Sequence, residues 1–321
     1  MAARRLRTVF FGSSEFAVPS LERMLEQHEV VAIYSQPDSP AGRGLRITPT
    51  PVSIAGGRAG REVLKPRRLD GPFIESIARL RPELLASASY GKILPSALLE
   101  LPGLTALNVH PSLLPRYRGA SPIQSALRDG CEETGVTVFW MTARMDAGDI
   151  AVARSVAIDA ADDYATLHNR LAGVGAELLG EAARLLSEGQ LTRLPQREED
   201  ATYCRTLTKE DLQLQFAVPA RIVVNQIRSV SPKPGAWMLL DGKRLKVLKA
   251  EVASIHGSVA VDFVSTVNPA STIEPGKLIA NEPAGPLIAT EPGAIRLLEV
   301  VPEGRRLMTG AEFAQHTASR H

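Results

Sequence analysis

Short apolar runs alternate with stretches of helical spacing through the first half of the chain, the pattern of a parallel α/β sheet. Residues 8–11 read as a first strand, closed by Gly12-Ser13-Ser14. Val18, Leu21, Met24 and Leu25 then share one face of a helix. The alternation predicts further strands at 30–34, 62–64, 84–87, 105–109 and 135–141, with helices at 52–59, 71–80 and 122–128. A long helix is predicted over 164–187, where Leu167, Leu171, Val174, Leu178, Leu179, Ala182 and Leu185 recur at helical spacing. Its alanines and glycines predict close packing on the sheet. Residues 35–51 break the pattern with four prolines, two glycines and two arginines, and predict a long exposed loop.

Beyond residue 188 the character changes. Residues 189–211 are charged and aperiodic, and read as a linker. One helix (220–228) follows, then β-like runs at 236–240, 245–252, 259–263, 287–290 and 294–301, separated by Gly, Pro and Asn. The expectation is an α/β domain with a doubly wound, mostly parallel sheet over 1–188. A small antiparallel OB-like β-barrel is expected over 212–321.

Composition supports two packed domains: 321 residues with 44% apolar content leave no case for general disorder. Net charge is +2, from 37 basic and 35 acidic residues, so nucleic-acid contacts would rest on local clusters. No apolar stretch approaches the ~18 residues of a membrane span. The basic start is followed by an apolar run of only Val9–Phe11, short of a secretory signal. Cys131 and Cys204 are too few for a disulfide scaffold, and a soluble cytoplasmic protein is expected.

The residues after the first strand do not form a GxGxxG fingerprint, and no Walker A sequence occurs. Six histidines include no HExxH pair and there is no CxxC, so no metal is expected. Asn108 and His110 are two apart on a predicted strand and leave the same face. They lie at its carboxyl end, where open α/β sheets bind ligands. Asp146, just past the strand ending at Met141, is placed to reach the same crevice. An amide donor, an imidazole and a carboxylate suit acyl transfer to an amine, in which a proton is lost and an oxyanion develops. No Ser or Cys stands in a nucleophile-elbow context, which favours direct attack. Alone, the Asn-X-His pair also reads as turn-stabilising, and Asp146 as a cap or loop anchor.

NVHPSLLPRYRGASPIQ and, further on, TGVTVFWMTARMDAGDI resemble the signature of the formyltransferases that use 10-formyltetrahydrofolate. Supporting matches are VFFGSSEFAVPSLERM, SQPDSPAGRG, SYGKILP, TYCRTLTKED and SPKPGAW, spread over essentially the whole chain. The resemblance implies a formyltransferase fold, 10-formyltetrahydrofolate as co-substrate and the α-amine of methionyl initiator tRNA as acceptor. It also implies a C-terminal barrel that holds the tRNA. Asn108, His110 and Asp146 take the places of the catalytic trio. Asn108 and a protonated His110 would stabilise the oxyanion, while Asp146 would orient His110. Whether His110 or Asp146 removes the amine proton stays open.

By the same resemblance the folate meets the loop Ser112, Leu113, Leu114, Pro115 and a crevice near Tyr90, Gly91 and Ile93. Arg43 and Arg46 in the exposed loop, with Lys209 in the linker, would contact the tRNA. Arg116, Arg118, Arg205 and Lys233 could extend a phosphate track. A monomer without membrane attachment is expected. Three departures stand out: Pro111 where alanine is common in this branch, Thr206 where lysine is usual, and Gln215-Phe216 in place of Asp-Trp. Two rival functions remain: formyl transfer to another amine, chiefly an amino-sugar nucleotide, and a catalytically decayed tRNA-binding protein.

Overall fold

The computed structural model describes residues 4–41, 46–253 and 273–318. They divide into two compact units. The first comprises residues 1–122, 133–157 and 167–205; the second comprises 123–132, 158–166 and 206–321.

The first unit is built on a seven-stranded sheet. Its strands are β1 (Arg7–Gly12), β2 (Glu29–Tyr34), β5 (Val63–Leu64), β6 (Leu84–Ala88), β7 (Thr105–His110), β9 (Glu133–Trp140) and β10 (Ile150–Ala157). Their spatial order is β10-β9-β7-β6-β1-β2-β5. The pairs from β7 to β5 are parallel, whereas β9 and β10 run antiparallel. The sheet is therefore mostly parallel, as the alternating pattern predicts. β6 is buried at all of its positions, which explains its uninterrupted apolar and small residues, LLASA.

On one face, α3 (Gly71–Arg79) covers a core of Val9, Phe11, Tyr34, Ile77 and Leu85. The Asp70 carboxylate accepts from the Phe73 N–H and caps that helix. Val18–Gln27 forms α1 and Pro51–Arg58 forms α2, which Thr50 caps through the Ser53 N–H. The helix α6 (Tyr164–Ser187) has the predicted bounds. At Gly175 a Cβ would lie 2.7 Å from a methyl of Val109, so this glycine permits the close helix–strand approach that the small residues predict.

Several features of the first unit differ from the sequence expectation. Residues 35–51 are not wholly irregular: β3 (Ser39–Ala41) and β4 (Arg46–Thr48) pair as a hairpin. Its base is tied by the Ser35–Thr50 hydroxyl contact and the Lys65–Asp38 ion pair. Edge strand β10 was not predicted, because its half-exposed sequence IAVARSVA shows no clean alternation. Part of the charged stretch read as a linker packs in the first unit, where β11 (Tyr203–Cys204) pairs in parallel with β8 (Arg118–Gly119).

The second unit has an antiparallel sheet of strands β12 (Ala236–Leu240), β13 (Lys243–Val252), β16 (Ala294–Pro302), β15 (Gly285–Ala289) and β14 (Leu278–Glu282), in that spatial order. β17 (Met308–Thr309) adds to β16. The helix α7 (Ala220–Ser229) places Val223 and Ile227 in a core with Met238, Val247, Ile288, Leu297 and Val300. A helix α8 (Gly310–Ala318), not predicted from sequence, adds Phe313 to that core. Here α4 is the short Ser96–Leu99 turn of the first unit and α5 is Pro122–Arg128. The strand expected at 259–263 lies outside the described residues.

Candidate active site

β7 is the strand at which the sheet changes from parallel to antiparallel pairing. It ends on Asn108, Val109 and His110, with Val109 turned into the core and its two polar neighbours on the other face. His110 is almost fully buried. Its Nε2 lies 2.8 Å from the Tyr117 carbonyl oxygen, an acceptor only, so Nε2 carries the hydrogen. Its Nδ1 faces Asp146, with 3.7 Å to Oδ2. That separation exceeds a hydrogen bond, so the carboxylate does not orient the ring by direct bonding in this arrangement. The Tyr117 carbonyl holds the ring instead. Asp146 is itself held: its Oδ2 accepts from the Gly119 N–H at 2.8 Å. The Asn108 amide makes a long 3.4 Å contact to the Val109 carbonyl.

The loop after β7 is folded onto β9. Thr137, opposite His110 in the ladder, donates from Oγ1 to the Ser112 carbonyl at 2.7 Å and accepts from the Leu114 N–H at 3.1 Å. Ser112 is fully buried and its hydroxyl donates to the Arg116 carbonyl. Its side chain is thus spent inside the loop. Leu113 packs over Gly135, Leu114 is buried and Pro115 is half-buried.

Tyr90, Gly91 and Ile93 have three different environments. The Tyr90 ring is a core group, edge-on to Phe11 at 5.1 Å between centroids. Burial raises its phenol to about 12, and its hydroxyl has no hydrogen-bond partner. The ring is thus spent in packing, while the backbone carbonyl of Tyr90 accepts from the Ser13 hydroxyl. Gly91 is exposed and adopts a φ of 83°, the left-handed region that favours glycine. Ile93 is 77% exposed and offers an open apolar surface.

Arg43 lies outside the described residues, and for Arg46 only its backbone position in β4 is described. Lys209 is exposed in the second unit. Arg118 does not belong to a phosphate track. It is fully buried and bonded to Gln196, Glu198 and Tyr203, so none of its charge is turned outward. The resulting bond from Arg118 holds the Glu198 carboxyl below the usual range, opposed by desolvation and helped by Arg144. Tyr117, Gly119, Thr137 and Gln196 were missed by sequence reasoning. The Arg-Gly pair after the Pro-rich turn was the available signal for Gly119; Gln196, inside an aperiodic stretch, carried none.

The strand end thus brings together an amide, an imidazole and a carboxylate, with no serine or cysteine among the three. The chain belongs to the formyl transferase family: the family's formyl transferase domain matches residues 6–183 and its C-terminal domain matches residues 206–318. It is similar to the methionyl-tRNA formyltransferase of Caldanaerobacter subterraneus subsp. tengcongensis, at 39% identity over 311 residues covering 96% of each chain. A second methionyl-tRNA formyltransferase, from Carboxydothermus hydrogenoformans, is 37% identical over 309 residues, again 96% of each chain. Among solved structures, the fold resembles an N-formyltransferase from Helicobacter canadensis in complex with folinic acid and dTDP-3-aminofucose. That match has a TM-score of 0.65 at 16% identity and covers 91% of this chain and 98% of the other.

The described residues contain no group of His, Cys, Asp and Glu side chains arranged to hold a metal ion. No helix among them is long and apolar enough to cross a membrane.

Proposed function

We propose that this protein transfers the formyl group of 10-formyltetrahydrofolate to the α-amine of methionyl initiator tRNA by direct amine attack. The observation that carries the reading is the His110–Asp146 approach beside Asn108 at a strand end, in a chain of this family. The co-substrate supplies a formyl carbon on nitrogen. In the transfer a bond forms from the amine to that carbon, the bond to the folate nitrogen breaks, and the amine proton ends on the departing nitrogen.

Asn108 and His110 donate to the formyl oxygen as negative charge builds on it. Because Nε2 of His110 already donates to Tyr117, a second hydrogen on Nδ1 makes the ring an imidazolium at that moment. Asp146, or His110 after transfer, relays the amine proton. With Nδ1 and Oδ2 3.7 Å apart, an oxygen lying beside the line between them would reach both at hydrogen-bond distance. Leu113, Ile93 and Gly91 offer apolar surface and open backbone for a pteridine, with Ser112, Leu114 and Pro115 shaping the loop. Residues 1–188 form the catalytic domain in this reading, 189–211 the connection and 212–321 the tRNA-holding domain. Arg43, Arg46 and Lys209 meet the tRNA, and the protein acts as a cytoplasmic monomer.

The test is single-turnover formyl transfer with methionyl initiator tRNA, uncharged tRNA and an amino-sugar nucleotide as parallel acceptors. Formyl-methionyl-tRNA as sole product supports the reading. Product only with the sugar nucleotide replaces the acceptor and keeps the chemistry; no product with any acceptor makes the chain a binding protein.

A further inference from the structure

Asp146 sits in the left-handed backbone region, which aspartate enters more readily than most residues but still at some cost. Its φ is +52°, in the left-handed region, where a side chain other than glycine costs about 1–2 kcal/mol and Asp somewhat less. The group facing its backbone is Gln196. The Gln196 side-chain amide donates from Nε2 to the Asp146 carbonyl at 2.9 Å and to the Gly148 carbonyl at 2.6 Å. The amide is prevented from turning over, because its Oε1 accepts from Arg118 twice, from Nη2 at 2.8 Å and from Nε at 3.1 Å.

Arg118 is locked in turn. It is fully buried, with Nη1 donating to Glu198 and to the Tyr203 hydroxyl and Nη2 to the other Glu198 oxygen. Its neighbour Gly119 donates its N–H to the Asp146 carboxylate. The hydrogen bonds thus close a ring: Arg118 side chain to Gln196, Gln196 to the Asp146 backbone, Asp146 carboxylate to Gly119, and Gly119 back through the chain to Arg118. One short strand, β8, holds both ends of Asp146. Its partner β11 keeps β8 in place, and a Cβ on Gly119 would collide with the Cys204 carbonyl.

We propose that Gln196, clamped by Arg118, is a positioning residue that aims the Asp146 carboxylate at His110. The inference rests on the role given to Asp146 above. Gln196 touches no reacting atom and is reached through a stretch whose sequence looks like a linker. Sub-ångström aim is what matters at this distance, since a displacement of about 1 Å costs on the order of 100-fold in rate.

Gln196→Glu is the informative substitution. It keeps shape and strengthens the bond to Arg118, but turns an acceptor oxygen toward two carbonyls that need donors. Gln196→Met is the companion, removing both contacts at similar volume. Single-turnover rates and KM values for both substrates are measured in wild type, each Gln196 variant, Asp146→Ala and the double variant Gln196→Glu with Asp146→Ala, with thermal midpoints alongside.

The expected result is a fall of kcat by about 10- to 100-fold in both Gln196 variants with KM unchanged, and no further fall when Gln196→Glu is added to Asp146→Ala. Wild-type kcat in Gln196→Glu and Gln196→Met, with Asp146→Ala slow, overturns the positioning role and leaves the trio standing. An equal fall in the Asp146→Ala background, or a loss in KM alone, also overturns it. Wild-type kcat in Asp146→Ala instead removes the catalytic reading on which the proposal rests.

Discussion

The Nε2 of His110 lies 2.8 Å from the carbonyl oxygen of Tyr117, seven residues further along the same chain. The orientation of the imidazole is therefore set by the loop that follows it, and Asp146 is left 3.7 Å away with its carboxylate committed to Gly119. In the proposed reaction the carboxylate therefore acts through its charge and by handling a proton, not by gripping the ring.

Each member of the trio should matter to the chemical step. Asn108→Ala, His110→Ala and Asp146→Ala are expected to lower kcat by at least ~100-fold, the scale of a lost acid–base or oxyanion contribution. Single-turnover rates at saturating substrates measure this, and near-wild-type turnover in any one variant removes that residue from the mechanism.

Gly175 of α6 packs against β7, where a Cβ would lie 2.7 Å from a methyl of Val109. Gly175→Val should destabilise the fold by about 1–3 kcal/mol through overpacking. Because Val109 lies between Asn108 and His110, kcat should fall as well. Denaturant titration and kinetics on the same sample test both; an unchanged midpoint would mean that the helix yields without cost.

Tyr90 carries a buried hydroxyl with no partner in the core beneath the sheet. Removing an unsatisfied buried polar group is neutral or favourable. Tyr90→Phe should therefore unfold at the same or higher denaturant concentration and keep the wild-type KM for 10-formyltetrahydrofolate. A several-fold rise in that KM would show that the hydroxyl reaches the ligand.

His28 links stability to pH. Burial, and then the nearby Arg5 charge, lower its pKa below the usual imidazole value of about 6.5. Its Nδ1 accepts from the Leu6 N–H, a bond that only the unprotonated nitrogen makes. The unfolded chain thus takes up the proton first as the pH falls. Stability contributed by neutral His28 is complete above about pH 6.5 and is lost as pH falls through that value toward the lower folded pKa. Denaturation midpoints between pH 8 and pH 5 should fall less steeply for His28→Gln than for wild type, and parallel curves would exclude His28 as the titrating group.

Much of the first unit is legible because its central strands, such as β6, are buried on both faces and its helices carry one apolar stripe. The long helix at 164–187 and strand 236–240 match the structure to the residue. β10 and β14 escaped notice because each is half exposed and pairs at a sheet edge, where backbone ladders form without a strict alternation of side chains. The β3–β4 hairpin was hidden by its Pro- and Gly-rich sequence for the same reason.

The candidate site divides in a similar way. The period-2 geometry of a strand puts Asn108 and His110 on one face in any fold that keeps the strand, so local sequence determines that pairing. The formyltransferase signature, too, is a property of the sequence. The environments of Tyr90 and Arg118 were decided elsewhere: a tyrosine reads equally well as core or ligand contact, and an arginine as surface charge or buried strut. Only packing turned the first into the neighbour of Phe11 and surrounded the second with Gln196, Glu198 and Tyr203. The hold on Asp146 joins residues 50 positions apart through directional bonds from Gln196. Such bonds leave no periodic trace in the chain, because they depend on where separate segments meet and not on the spacing within any one of them.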